Sequence, residues 1–136
     1  MTKESLKARC LQAIDEKRDQ IIALGQEIFA HPELGFKEVH TADLVCRTFE
    51  SLQIPYRDHL AITGVRGDLT GGRPGPRVMI MGELDAVVCP LHPQADPATG
   101  AAHSCGHNAQ IAAMLGAAMG LAPLAAQLDG NVAFVA

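Results

Sequence analysis

The run His103-Ser104-Cys105-Gly106-His107-Asn108 puts three of the side chains best suited to transition metals at alternate positions. Residues two apart project to the same side of extended backbone, so His103, Cys105 and His107 are expected to face one cavity. A neutral imidazole offers a nitrogen lone pair, and a thiolate offers a soft anionic sulfur. Both favour zinc and its neighbours over magnesium and calcium, which select oxygen. The run reads as half of a metal site. Two other chemistries fit the same residues. Cys105 beside a histidine base is a thiol nucleophile in outline, although nothing marks an oxyanion hole or a third orienting group. A packed thiol beside helix-capping polar groups is the non-functional picture.

Elements that would position this run follow from hydrophobic periodicity. Leu6, Cys10, Ala13, Ile14, Ile21, Leu24 and Ile28 recur at helical spacing from Ser5 to about Ala30, and His31-Pro32 ends that helix. A second helix is expected from Glu38 to Leu52 and a third from Asn108 to Gln127. Strands are expected over Ala61–Leu69, over Arg77–Glu83 and over Asn131–Ala136. Val78-Met79-Ile80-Met81 is continuously apolar, as in a central strand covered on both faces. The pattern predicts a single α/β domain over residues 1–136, with a mainly parallel sheet. In such sheets chemistry gathers beyond the carboxyl ends of strands, where Glu83-Leu84-Asp85 stands. The Pro-rich stretch from Ala86 to Ala102 then leads to His103.

Composition narrows the function. A net charge of −4, 4% aromatic residues and the absence of Trp argue against nucleic-acid or anionic-membrane binding. The polar N-terminus has no signal-type core. The apolar stretch from Ile111 to Ala126 is broken by Gly116, Gly120 and Pro123, so a buried helix is expected there rather than a span. Four cysteines without a disulfide-framework spacing point to a reducing, cytoplasmic setting.

Three segments occur in order: His31-Pro32-Glu33-Leu34-Gly35-Phe36-Lys37-Glu38, Gly82-Glu83-Leu84-Asp85-Ala86 and the His103–Asn108 run. Together they resemble family 20 of the metallopeptidases, in the amidohydrolase branch of aminoacylases, hippurate hydrolases and aminobenzoyl-glutamate hydrolases. The resemblance covers the opening part of that family's catalytic domain. It implies a three-layer α/β/α zinc-peptidase-like fold and a metal-dependent hydrolase of N-acyl or N-aroyl amino acids or small dipeptide-like amides. It implies zinc or manganese, as one or two ions, with Cys105 and His107 as ligands and Cys105 shared between the ions. Asp85 would orient a ligand, and His103 and Glu83 would stand behind the ligands. The residue assigned as general base in the family has no counterpart in these 136 residues, so the fragment is expected to be inactive alone. Asn108 and the Gly-Glu-x-Asp-Ala pattern lean towards the aminobenzoyl-glutamate-like members. A noncatalytic metal-binding or interaction module remains the alternative for the isolated chain. Asn131–Ala136, read as a strand with uncovered edges, predicts a homo-oligomer or self-association.

Overall fold

The structure, a computed structural model, describes residues 2–136. Helix α1 (Lys3–Glu16) starts at Thr2, whose Oγ1 accepts from the Ser5 N–H, satisfying one of the donors that a helix N-terminus leaves free. Helix α2 (Arg18–Ala30) follows directly. The single helix expected from Ser5 to Ala30 is thus two, broken at Lys17, whose N–H bonds back to Ile14. The break lets both halves pack on α4 (His107–Leu121): Cys10 and Ile14 approach Gly120, and Ile21 approaches Gly116. The glycines of α4 therefore make room for α1 and α2, not for the sheet. Helix α3 (Val39–Ser51) lies close to its expected bounds.

Ile111, Met114, Leu115 and Ala118 of α4 join Ile28, Val45, Phe49, Val65 and Phe134 in one buried core. The 21-residue stretch His107–Gln127, α4 plus a short 3-10 helix, has the length and mean hydropathy (1.6) to cross a membrane. Half of it is buried inside the fold, as in a core helix.

The main sheet contains β1 (Tyr56–Leu60), β2 (Gly64–Thr70), β3 (Arg73–Met81) and β6 (Asp129–Val135), in the order β1-β2-β6-β3. A tight turn joins β1 to β2 and forces antiparallel pairing. The long connection from β3 through α4 returns β6 parallel to β3. The α/β class forms as expected, but β2 pairs antiparallel with β6, so that within the main sheet parallel pairing is confined to β3–β6. Pro74 and Pro76, which have no N–H for a ladder, fall where the β3–β6 register slips between Arg73 and Arg77.

Two expectations about strands are corrected. Asn131–Ala136 is not an uncovered edge: β6 is an inner strand, paired on both sides, with Ala133 and Phe134 fully buried. Among the described residues the edges of the main sheet are β1, whose central residues are polar, and β3. In β3, Val78, Met79 and Met81 are more than half exposed, so Val78–Met81 is not covered on both faces here. Ile80 and Val132 pack with Phe134 against the helices. The opposite face carries Arg66, Asp68, Met79 and Met81. The described residues thus build one helix layer and the sheet, two of the three layers expected. A small hairpin, β4 (Val87–Val88) with β5 (Ala101–Ala102), closes the loop that runs on to His103.

Candidate metal centre

The parallel pairing of β3 and β6 brings their carboxyl ends to one edge. Gly82, just after β3, donates its N–H to Val135 O at 3.0 Å. A Cβ at Gly82 would press on Ile111 Cδ1 at 2.9 Å, so glycine lets the chain pass close to α4. Glu83 then donates its N–H to Gln110 Oε1 at 3.2 Å. Leu84 is buried, and the Ala86 N–H bonds to Glu33 O at 2.7 Å. The Glu83–Asp85 loop is therefore clamped between the first turns of α4 and the Pro32–Glu38 connection.

The other half of the centre comes from the start of α4. Gly106 precedes it with φ of 89°, in the left-handed region that favours glycine. This turn ends the extended run. His107 is the first helical residue, so the alternation expected of His103, Cys105 and His107 stops at Gly106. His103 is buried, Cys105 is exposed and His107 is only partly accessible.

His107 is gripped from both sides. Its Nδ1 lies 2.8 Å from Asp85 O and 2.9 Å from Asp85 Oδ1. A backbone carbonyl only accepts, so Nδ1 carries the proton and donates. In the neutral ring the lone pair is then on Nε2, which faces Glu83 Oε2 at 3.0 Å. A carboxylate and a carbonyl behind Nδ1 are the usual support of a metal-binding histidine. Asp85 thus sits where an orienting residue belongs, and Glu83 adjoins the free nitrogen.

His103 is 6% exposed, and neither ring nitrogen has a hydrogen-bond partner. Burial pushes its pKa below the ordinary histidine value; His107 adds to that, while Asp85 and Glu33 oppose it. An unpartnered buried imidazole is costly in a finished site, and it fits a corner completed by a bound group. The Cys105 thiolate, the Nε2 of His107 and the Glu83 carboxylate are donor types suited to zinc-like ions, but the structure brings only His107 and Glu83 together, and the three donor atoms do not all lie within 4.8 Å of one another. Beside them lies a cleft of about 350 Å³, lined in part by Gly35, Phe36, Thr63, Glu83, Asp85 and Ala136. Asn108 turns away from it: its Nδ2 donates to Gly25 O at 3.2 Å and pins α4 to α2.

Two features escaped the sequence. Glu33 caps α3, with Oε1 accepting from the His40 N–H and Oε2 from the Thr41 N–H and hydroxyl, all at 2.9 Å. The set of three metal-binding donors within 4.8 Å of one another among the described residues is not at Cys105. It is Glu27, His31 and His40.

No family model matches the chain. Among curated proteins, it is 32% identical over 140 residues to an N-acyl-L-amino acid amidohydrolase of Geobacillus stearothermophilus, covering 99% of this chain and 36% of that protein. It is 34% identical over 122 residues to an N-acetylcysteine deacetylase of Bacillus subtilis, covering 85% of this chain and 32% of that protein. Among solved structures, it matches the YxeP protein of Bacillus subtilis, described as a dinuclear metal-binding peptidase of the M20 family. That match has a TM-score of 0.78 and 32% identity, covering 89% of this chain and 35% of that one. In sequence and fold the chain is similar to amidohydrolases and to a peptidase of the M20 family. It spans about a third of the length of these relatives. The family resemblance drawn from the three motifs and the α/β architecture therefore agree.

Proposed function

We propose that this chain forms the part of a metal-dependent amidohydrolase that contributes Cys105 and His107 as metal ligands. The observation that carries the reading is the His107 clamp, in which Asp85 holds Nδ1 and leaves Nε2 facing Glu83. Its position at the carboxyl ends of β3 and β6 is where α/β enzymes place their chemistry. A bound zinc or manganese ion, alone or as one of a pair, supplies Lewis acidity and an acidified water. Asp85 keeps the His107 ring in one tautomer and orientation. His103 offers an uncommitted imidazole to whatever fills the corner, and the cleft beside Phe36 receives the substrate. The amidohydrolase and deacetylase relatives support an N-acyl amino acid as substrate, and the proposal extends to N-aroyl amino acids and small dipeptide-like amides, which carry the same scissile bond. A thiol mechanism is less well supported, because among the described residues no hydrogen bond joins Cys105 to a histidine: His107 Nε2 faces Glu83 and His103 is buried.

The proton-accepting carboxylate is assigned to none of these residues, so the 136 residues alone are expected not to hydrolyse such substrates. The test is release of free amino acid from N-acetyl amino acids by the 136-residue chain, the full-length protein and full-length Cys105→Ser. Turnover by the full-length protein only, lost in the variant and on chelation, supports the reading. Chelator-resistant turnover contradicts it. Two further proposals complete the picture. Four free cysteines support a reducing, cytoplasmic compartment. The exposed apolar edge of β3 supports self-association of this chain by strand pairing, which a concentration-independent monomer in sedimentation would contradict.

A further inference from the structure

Glu27, His31 and His40 lie outside the centre described above, where the end of α2 meets the start of α3. Glu27 Oε1 is 3.3 Å from His31 Nδ1 and 3.1 Å from His40 Nε2. Neighbouring ligands around a tetrahedral ion with bonds of about 2.0–2.1 Å lie about 3.3 Å apart. These separations are therefore close to the edge lengths of a coordination shell. The two rings are 5.0 Å apart, centroid to centroid.

The backbone adds a fourth donor, an oxygen. Glu27 O lies in the last turn of α2, where the His31 N–H bonds to Ile28 O instead, and Glu27 O accepts from His31 Nδ1 at 2.9 Å. A helix C-terminus carries partial negative charge and favours a cation. One carboxylate, two imidazoles and this carbonyl are together a mixed nitrogen and oxygen donor set. Such a set selects zinc, nickel or copper(II) over calcium and magnesium. All three side chains are at least one-third exposed, so an ion can reach them from solvent and complete its shell with water.

We propose that Glu27, His31 and His40 form a second divalent transition-metal site, separate from Cys105 and His107. An ion there would tie the end of α2 to the first turn of α3. Binding requires His31 Nδ1 to release Glu27 O and His40 Nε2 to release Glu27 Oε1, each neutral ring carrying its proton on its other nitrogen instead, an exchange of tautomers with no net loss of a proton. The Pro32–Glu38 connection inside this clip also supports the Glu83–Asp85 loop through the Glu33–Ala86 bond. The site thus steadies one wall of the cleft without touching it.

The experiment is zinc titration of the 136-residue chain in a Cys105→Ser background, alone and with His40→Ala or Glu27→Gln, with far-UV circular dichroism as the check on folding. The proposal expects one equivalent of zinc in Cys105→Ser. It expects affinity to fall by at least about tenfold in each double variant, since even the loss of a supporting partner costs that much. Zinc should also protect the amides around residues 31–40 from hydrogen exchange in Cys105→Ser and not in the His40→Ala double variant. Equal affinity in all three folded proteins, or no uptake by Cys105→Ser, would overturn it. Should a double variant unfold, the exchange pattern of Cys105→Ser with and without zinc decides: protection at residues 31–40 supports the site, and its absence there refutes it. Because Cys105 is already replaced, failure here leaves the first centre untouched.

Discussion

The two histidine clusters of this chain are built on opposite plans. His107 is only 14% exposed, and its ring is locked by a carbonyl and a carboxylate behind Nδ1. The loop that supplies those acceptors is itself anchored by buried Leu84 and by backbone bonds to two neighbouring segments. His31 and His40 are far more open, share one exposed carboxylate and sit at helix ends. Supporting bonds cost little entropy where the backbone is already fixed, so the first arrangement can hold a ligand in reacting geometry. The second can only gather an ion from solvent and be tightened by it. The contrast teaches that donor type alone does not make a catalytic centre; the second layer of bonds does.

The comparison breaks most readily at Asp85. Asp85→Ala removes the carboxylate from Nδ1, and zinc affinity at the Cys105–His107 centre should fall by about 10–100-fold, while uptake by the Glu27 cluster is unchanged. Competition with a chromophoric chelator measures both. Equal weakening of the two clusters would mean that they are one coupled site.

Glu33 lies between the regions. Its carboxylate caps α3 beside His40, and its carbonyl receives Ala86. Glu33→Ala should cost about 1–2 kcal/mol in denaturant unfolding, the usual range for a lost helix cap and its hydrogen bonds. A smaller loss would mean that water caps α3 as well. Gly106→Ala sharpens the first plan alone. A Cβ there meets nothing within 4 Å, so the penalty is purely that of φ at 89°, about 1 kcal/mol. Urea unfolding should show that loss without any change at the Glu27 cluster.

These particulars also show what the sequence could and could not reveal. Glu83 and Asp85 were legible because a continuous apolar strand ends just before them, and His107 because its motif is contiguous. The break at Lys17 was not, since the apolar stripe of α1 and α2 keeps its period across it. Strand β1 was missed because Arg57, Asp58 and His59 are polar and exposed on an outer strand. The inner place of β6 depends on which strands flank it, and periodicity carries no such information. Glu27 and His40 are 13 residues apart, and only the chain reversal at Pro32–Glu38 brings them together.

The smallest expected effect concerns the loop before His103. Asp96 Oδ1 accepts from the Thr99 N–H and hydroxyl and from the Ala98 N–H. The Thr99 bonds, led by its N–H, hold the Asp96 carboxyl below its ordinary pKa. A carboxyl lowered in the fold stabilises above its unfolded pKa of about 3.9, and that contribution is lost as pH falls through the folded value. Asp96→Ala should therefore lower the unfolding midpoint slightly at neutral pH, with the gap to wild type narrowing on acidification. A gap independent of pH would assign the effect to loop packing instead.

The most direct test of the central claim is zinc stoichiometry in a His40→Ala background, with and without Cys105→Ser. With the surface cluster disabled, bound metal reports the Cys105–His107 centre alone. The account predicts one equivalent with Cys105 present and loss of that metal with serine in its place. Equal zinc content in the two proteins would contradict it.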